Sequence, residues 1–310
     1  MKTGSAMIKS LLLTTVFCVA MPFQAGGALD SDSLPSDTVW YVHVDLDRMR
    51  SSDAGREIYA WLEDEIIEEI REEVGVDLNE EVDRITAFSN DGEGYVAIVE
   101  GRVSEEAQNS VLRMTEVEDA LTELEHRGQT YFYGSDDSAR SSRRGRHEDL
   151  PGYFTFAIDG KMIASSSEDT LKAMMDNGGR IVGAGAHKDA IFVLSADKQF
   201  AQAGMRTQAF ADEDDDWESN ILRSTEQAAM LVSDKDGKIA VEAKLVATDA
   251  ELTQSISSII GGLIALQAFN SDLDPALADV LLNMKVDADD NVLTISTVLD
   301  PATVVQTLDD

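Results

Sequence analysis

The sequence predicts an α+β protein, a mostly antiparallel sheet with helices packed on one face. Three observations carry that expectation. Short β-branched and aromatic runs alternate apolar with polar residues. Aspartate-glycine and aspartate-asparagine turns join consecutive runs into hairpins. Each hairpin then leads into a capped segment whose apolar residues recur at helical spacing.

Residues 1–28 stand apart from the fold. Lys2 and Lys9 precede the apolar run Leu11–Pro22, and the small residues Ala25-Gly26-Gly27-Ala28 follow. That pattern is a cleavable secretory signal and predicts an exported protein, periplasmic or extracellular. Cys18 is the only cysteine, and Phe17 before it lacks the small side chain that lipid attachment needs. The remaining chain therefore has no disulfide to staple it, and its size must supply the core.

Thr38–Leu46 reads as the first strand, with Trp40, Val42, Val44 and Leu46 on one face. Tyr41, His43 and Asp45 share the other, which is expected to be the less buried side. A helix is expected from a Ser52 or Asp53 cap to Val74, with Ile58, Leu62, Ile66, Ile70 and Val74 as an i,i+4 stripe. A hairpin follows, Asp83–Ser89 with Tyr95–Val103. Ser104-Glu105-Glu106 opens a helix, and Glu116–Glu125 reads as another. Gln129–Tyr133 is a strand, and Gly134–Glu148 a polar loop. Tyr153–Ile158 and Lys161–Ser165 form a hairpin at Asp159-Gly160, and Ser166 or Ser167 caps Glu168–Met175.

The second half opens with the strand Ala190–Ala196. Gln227–Val232 and Ile239–Ala247 flank Asp236-Gly237, a strong hairpin signal. Thr248 or Asp249 then caps a helix that is apolar nearly all round over Ile256–Phe269. Fourteen residues rise about 21 Å, too short for a hydrocarbon core of about 30 Å, so no membrane span is expected in the mature chain. Gly261-Gly262 inside it costs about 1 kcal/mol per glycine against alanine. A close approach to the sheet, a kink, or a surface that opens for an apolar ligand would each account for the pair. A short helix at Pro275–Leu282, a hairpin of Met284–Ala288 with Val292–Leu299, and a helix opened by Asp300-Pro301 complete the chain.

Set side by side, both halves read β-α-β-β-α-β-β-α, which predicts an internal repeat: 29–180, a linker at 181–189, and 190–310. This order resembles that of exported bacterial proteins of unknown function, whose mature chains begin near a Leu-Pro-x-Asp-Thr strand (here Leu34–Thr38). They carry a strand-Asp-Gly-strand-helix ending (here Tyr153–Met175). The resemblance implies export and the duplicated α+β layout, and no catalytic residues.

The chain has 59 acidic against 25 basic residues and a net charge of −34. Such a surface disfavours nucleic acid and anionic lipid and suits a hydrated coat in salty surroundings. His43, His126, His147 and His187 lie too far apart for a helical metal pair, so no metal or cofactor is expected. Asp212–Asp216 is a solid acidic run, unlike the spaced ligands of a calcium loop. Asp234-x-Asp236-Gly237 lacks the later glutamate of an EF-hand and reads as a turn. Ser165-Ser166-Ser167 lies in no nucleophile elbow, and Gly183-Ala184-Gly185 in no phosphate loop.

The function expected is non-catalytic binding of a protein partner or an apolar ligand. The surface for it is a groove between the halves under Ile256, Ile260, Leu263, Ile264 and Phe269. One alternative is a hydrolase using two carboxylates about 5–10 Å apart in a cleft. The other is a cell-surface interaction module using the one basic island, Arg140, Arg143, Arg144 and Arg146.

Overall fold

The structure is a computed structural model. It describes residues 38–90, 94–118, 120–135, 152–181, 190–200, 224–268, 281 and 283–309. The leader, the basic island, Asp212–Asp216, the Gly183–Gly185 segment and most of the expected Pro275–Leu282 helix lie outside these residues.

The architecture is α+β, built among the described residues on one antiparallel sheet of twelve strands. The strands are β1 Trp40–Asp45, β2 Arg84–Ser89, β3 Val96–Glu100, β4 Ala120–His126, β5 Gln129–Ser135, β6 Gly152–Thr155, β7 Lys161–Ser165, β8 Ala190–Asp197, β9 Thr225–Lys235, β10 Lys238–Ala247, β11 Lys285–Asp289 and β12 Val292–Leu299. Their order is β11-β12-β10-β9-β8-β1-β2-β3-β7-β6-β5-β4. β1 and β8, the opening strands of the two halves, pair antiparallel at the centre, with His43 opposite Val193. Outward from that seam the order runs β1-β2-β3-β7-β6 on one side and β8-β9-β10-β12-β11 on the other. The first half adds β5 and β4 at its edge. The sheet is thus continuous across the boundary expected at 181–189, and the halves meet edge to edge rather than across a groove.

The turns explain the register. Asp236 and Gly237 both have positive φ (56° and 78°), as a two-residue hairpin loop of the right twist requires. Asp234 fixes this loop from below: its Oδ1 accepts from Gly237 N at 3.1 Å. Its Oδ2 accepts from Ala54 N at 2.8 Å, tying the hairpin to a helix far away in sequence. Replacing Asp234 by alanine removes both bonds and is expected to lower unfolding free energy by about 1–3 kcal/mol in urea titration. A loss below about 0.5 kcal/mol would show that water replaces the carboxylate at both amides.

The helices are α1 Leu46–Ser51, α2 Gly55–Leu62, α3 Glu68–Val74, α4 Leu78–Glu81, α5 Glu105–Glu118, α6 Glu168–Asp176, α7 Ala250–Ala268 and α8 Pro301–Asp309, with a π-helical turn at Glu63–Ile67 between α2 and α3. They bury against both faces of the sheet, not one. Leu171, Met174 and Met175 of α6 join Tyr41, Phe88, Ile98, Ile163 and Val193 in one core. Leu46 and Met49 of α1, Tyr59 of α2 and Val304 of α8 join Val44, Ile85, Val99 and Val241 in the other. Tyr41 and Val44 point to opposite sides of β1, so two layers are needed to bury the alternating apolar residues. The Tyr41 side of β1 is accordingly not the less buried one: Tyr41 is 2% exposed.

Two local expectations change for physical reasons. The π turn inserts a residue, so the i,i+4 stripe steps from Leu62 to Ile67, which is buried while Ile66 is only half-buried. Residues 120–126 form a strand instead of continuing a helix. Arg127 and Gly128 (φ 51° and 81°) make a two-residue turn that lays β4 on β5, pairing Leu124 with Tyr131. Cross-strand packing there outweighs the helix propensity of leucine and glutamate.

Candidate functional site

α7 begins where the sequence places it. Asp249 Oδ1 accepts from Leu252 N at 2.8 Å, closing the first turn. The helix packs on β10, β11 and β12, at the outer part of the sheet away from the β1–β8 seam. It therefore covers no groove between the halves.

Only part of its apolar surface is used in packing. Ile256 is 2% exposed and is ordinary core, and Ile260 and Ile264 are half-buried. Ile259 and Leu266, outside the set expected from sequence, are 47% and 73% exposed. They stand seven residues apart, on one side of the helix, with Gly262 between them. A Cβ added to Gly261 or Gly262 meets nothing within 4 Å, so the pair does not serve a close approach to the sheet. The exposed side is a smooth strip flanked by two large apolar side chains. The Leu263 side chain and Phe269 lie outside what the structure describes, as do Arg140, Arg143, Arg144 and Arg146.

A second feature is polar. An open cleft of about 680 Å³ lies at one end of β1, β2, β3 and β7, bounded by α1 and by residues 179–181. Its floor follows the strand register. His43 lies opposite Thr86 and Thr86 opposite Ile98, and His43 Nδ1 is 2.8 Å from Thr86 Oγ1. One row further, Asp45, Arg84, Glu100 and Lys161 sit side by side on four successive strands with alternating sign. Asp45 Oδ2 accepts from Arg84 Nε at 3.3 Å, while its Oδ1 caps α1 through Arg48 N at 2.8 Å. Lys161 Nζ is 2.8 Å from Glu100 Oε1 and donates to Gly179 O at 3.1 Å. Tyr41 lies one row deeper, where burial, reinforced by the Glu100 charge, pushes its phenol up to about 12. It stays a neutral hydroxyl at every physiological pH.

The cleft thus gathers His43 and Asp45 from the strand face marked in the sequence, and adds partners that sequence spacing did not connect. Their separation along the chain, from His43 to Ile181, hides them from any local pattern. Asp45, Asp47 and Glu100 line the same cleft, where the hydrolase alternative would look for its carboxylates, but Asp45 and Glu100 are each held by a cation. Among the described residues no group of three or more histidine, cysteine, aspartate or glutamate side chains is arranged to hold a metal ion. Ser167 caps α6 by accepting from Thr170 N, and Ser166 Oγ accepts from Tyr95 N, so these serines are occupied structurally.

No family model and no curated protein matches the chain. Among solved structures it is similar to TP0453, a Treponema protein. Crystal form III aligns with a TM-score of 0.51 and 9% identity, over 94% of this chain and 98% of that one. The likeness is one of fold. Crystal forms IV and I align with TM-scores of 0.49 and 0.45, at 8% and 9% identity, over 95% and 90% of this chain and 99% and 97% of theirs. TP0453 is matched nearly end to end, so the fold it shares includes both halves of the sheet.

Proposed function

We propose that the protein is an exported, non-catalytic binding protein that docks a protein partner through the exposed side of α7. The observation that carries this is the pairing of Leu266 and Ile259 in solvent across Gly262. Exposing a leucine costs the favourable burial of about 1.5–3 kcal/mol, and a glycine pair adds a helix penalty of about 1 kcal/mol each. Neither serves the isolated fold. Both serve a partner whose groove takes two apolar anchors and approaches the helix backbone between them.

A protein groove suits this strip better than a lipid surface. Among the described residues no helix is long and apolar enough to cross a membrane. The last turn of α7 carries no basic residue, and the net charge is −34. Helices that lie on membranes use lysine and arginine on their polar side to hold anionic headgroups.

The test is a photo-crosslinking amino acid placed at Leu266 or Ile259 in the native host, with a third placement at the exposed Glu251 as control. Discrete protein adducts at the first two positions, absent at the control, support the reading. Gly262→Ala is expected to leave the free protein as stable as before or about 1 kcal/mol more stable, because the added methyl enters open space. The same substitution is expected to reduce the adducts. No adduct at either position, or an unchanged yield in Gly262→Ala, overturns the proposal. A co-purifying lipid-sized mass in native mass spectrometry would point to apolar cargo instead.

A further inference from the structure

The geometry points to a second binding site, for a small zwitterion of the amino-acid kind, in the polar cleft bounded by β1, β2, β3, β7 and α1. The cleft volume of about 680 Å³ falls within the usual range of small-ligand sites, about 300–1,000 Å³. Its inner charges are neutralised in place by the Asp45–Arg84 and Glu100–Lys161 pairs. Of the other three charged side chains lining it, Arg48 is not free, and two are different. Asp47, on the first turn of α1, and Arg180, just after α6, are both exposed and enter none of the ion pairs among the described residues.

These two charges have opposite sign and come from different walls, α1 on one and the segment after α6 on the other. A ligand with one charge satisfies only one of them. An anion alone also meets the field of a protein with a net charge of −34, and a cation alone meets Arg180. A molecule carrying both an ammonium and a carboxylate satisfies Asp47 and Arg180 together. Guanidinium and carboxylate also form the stronger, two-pronged kind of hydrogen bond. Ile98 and Ile181 line the same cleft and offer apolar surface to an aliphatic side chain, while the His43–Thr86 pair supplies polar atoms on the floor. Free amino acids and short peptides share this chemistry, and the volume admits either.

The experiment is isothermal titration of the mature protein with L-leucine, the Leu-Leu dipeptide, 4-methylpentanoate and isoamylamine. L-leucine or the dipeptide is expected to bind at least about tenfold more tightly than either singly charged analogue, which corresponds to about 1.4 kcal/mol. Whichever of the two binds better identifies amino acid or peptide as the source. Asp47→Asn is expected to bring the zwitterion down to the affinity of 4-methylpentanoate. Arg180→Gln is expected to bring it down to that of isoamylamine. Both side chains are exposed, so both variants are expected to keep the thermal midpoint of the parent protein, and that midpoint is measured alongside. No heat of binding from either zwitterion, equal binding of a singly charged analogue, or unchanged binding in both variants overturns the assignment.

Discussion

Gly101→Ala is expected to lower unfolding free energy by about 3 kcal/mol or more. A Cβ at Gly101 would lie 2.2 Å from Glu81 O and 3.0 Å from Asp83 N and from the Glu81 carbonyl carbon. All three are backbone atoms, so no rotamer change relieves the clash. The only escape is to move the turn after α4 away from the end of β3. That movement strains Asp83 N–H to Glu100 O, 2.7 Å, and Val103 N–H to Glu81 O, 3.4 Å. It also disturbs the bond from Gly101 N to Gly160 O, 3.0 Å, which ties the end of β3 to the β6–β7 turn. Guanidinium unfolding followed by tryptophan fluorescence reads the loss directly. A midpoint unchanged from the parent would mean that the two backbones stand further apart in solution. Gly261→Ala on α7 is a matched control, because its added methyl meets nothing.

The contrast between these glycines shows where sequence reasoning reaches its limit. Gly101 reads as one more residue of a strand, and Gly261-Gly262 reads equally as a close approach to the sheet, a kink, or an open apolar surface. The fold packs backbone against Gly101 and removes the close approach at Gly261-Gly262. A glycine announces a special position but not whether the space beside it is full or empty. Turns are better behaved, because their chemistry is local. Asp236-Gly237 needs positive φ at adjacent residues, and the sequence supplies residues that tolerate it. The caps at Ser167 and Asp249 are equally local, and both are where the polar residue before an apolar period puts them.

What the sequence hides is set by contacts between distant segments. The β1–β8 pairing joins residues some 150 positions apart, and no local pattern chooses it over two separate sheets. Tyr41 looks like the wet side of β1 until α6 is laid over it. β4 looks helical until the Arg127-Gly128 turn folds it onto β5. The same holds for both candidate sites. Because α7 is apolar nearly all round, its period does not say which side is buried, and the sheet selects Ile256 rather than Leu266. The cleft needs five elements in one place, and its two uncommitted charges are visible only after the committed ones have found their partners.

Removing the Glu81 carboxylate is the second large effect, and its pH dependence separates it from a simple loss of packing. The Glu81 side chain is 11% exposed. Its Oε2 accepts from Ser104 N at 2.7 Å, and its Oε1 accepts from Ser104 Oγ at 2.8 Å and from Arg102 Nη2 at 3.1 Å. Ser104 Oγ in turn accepts from Ala107 N at 3.2 Å, so Glu81 holds the cap that starts α5. Burial opposes the charge, but the Ser104 amide, the Ser104 hydroxyl and Arg102 outweigh it and hold the carboxyl below its usual value. A carboxyl that is more acidic folded than unfolded stabilises the fold above its unfolded value, about 4.3, and this stabilisation is lost as pH falls through the folded value. Glu81→Ala is therefore expected to cost about 2–4 kcal/mol near neutral pH, from the loss of charge-assisted bonds to a buried group. Glu81→Gln is the sharper probe, because it keeps the size and one acceptor oxygen while removing the charge. The stability difference between the parent and Glu81→Gln is expected to be fully present at pH 7 and to shrink steadily below about pH 5. Other carboxylates titrate in both proteins and cancel in that difference. A difference that stays constant from neutral to acid pH would mean that Glu81 acts through shape alone, and that the start of α5 does not depend on its charge.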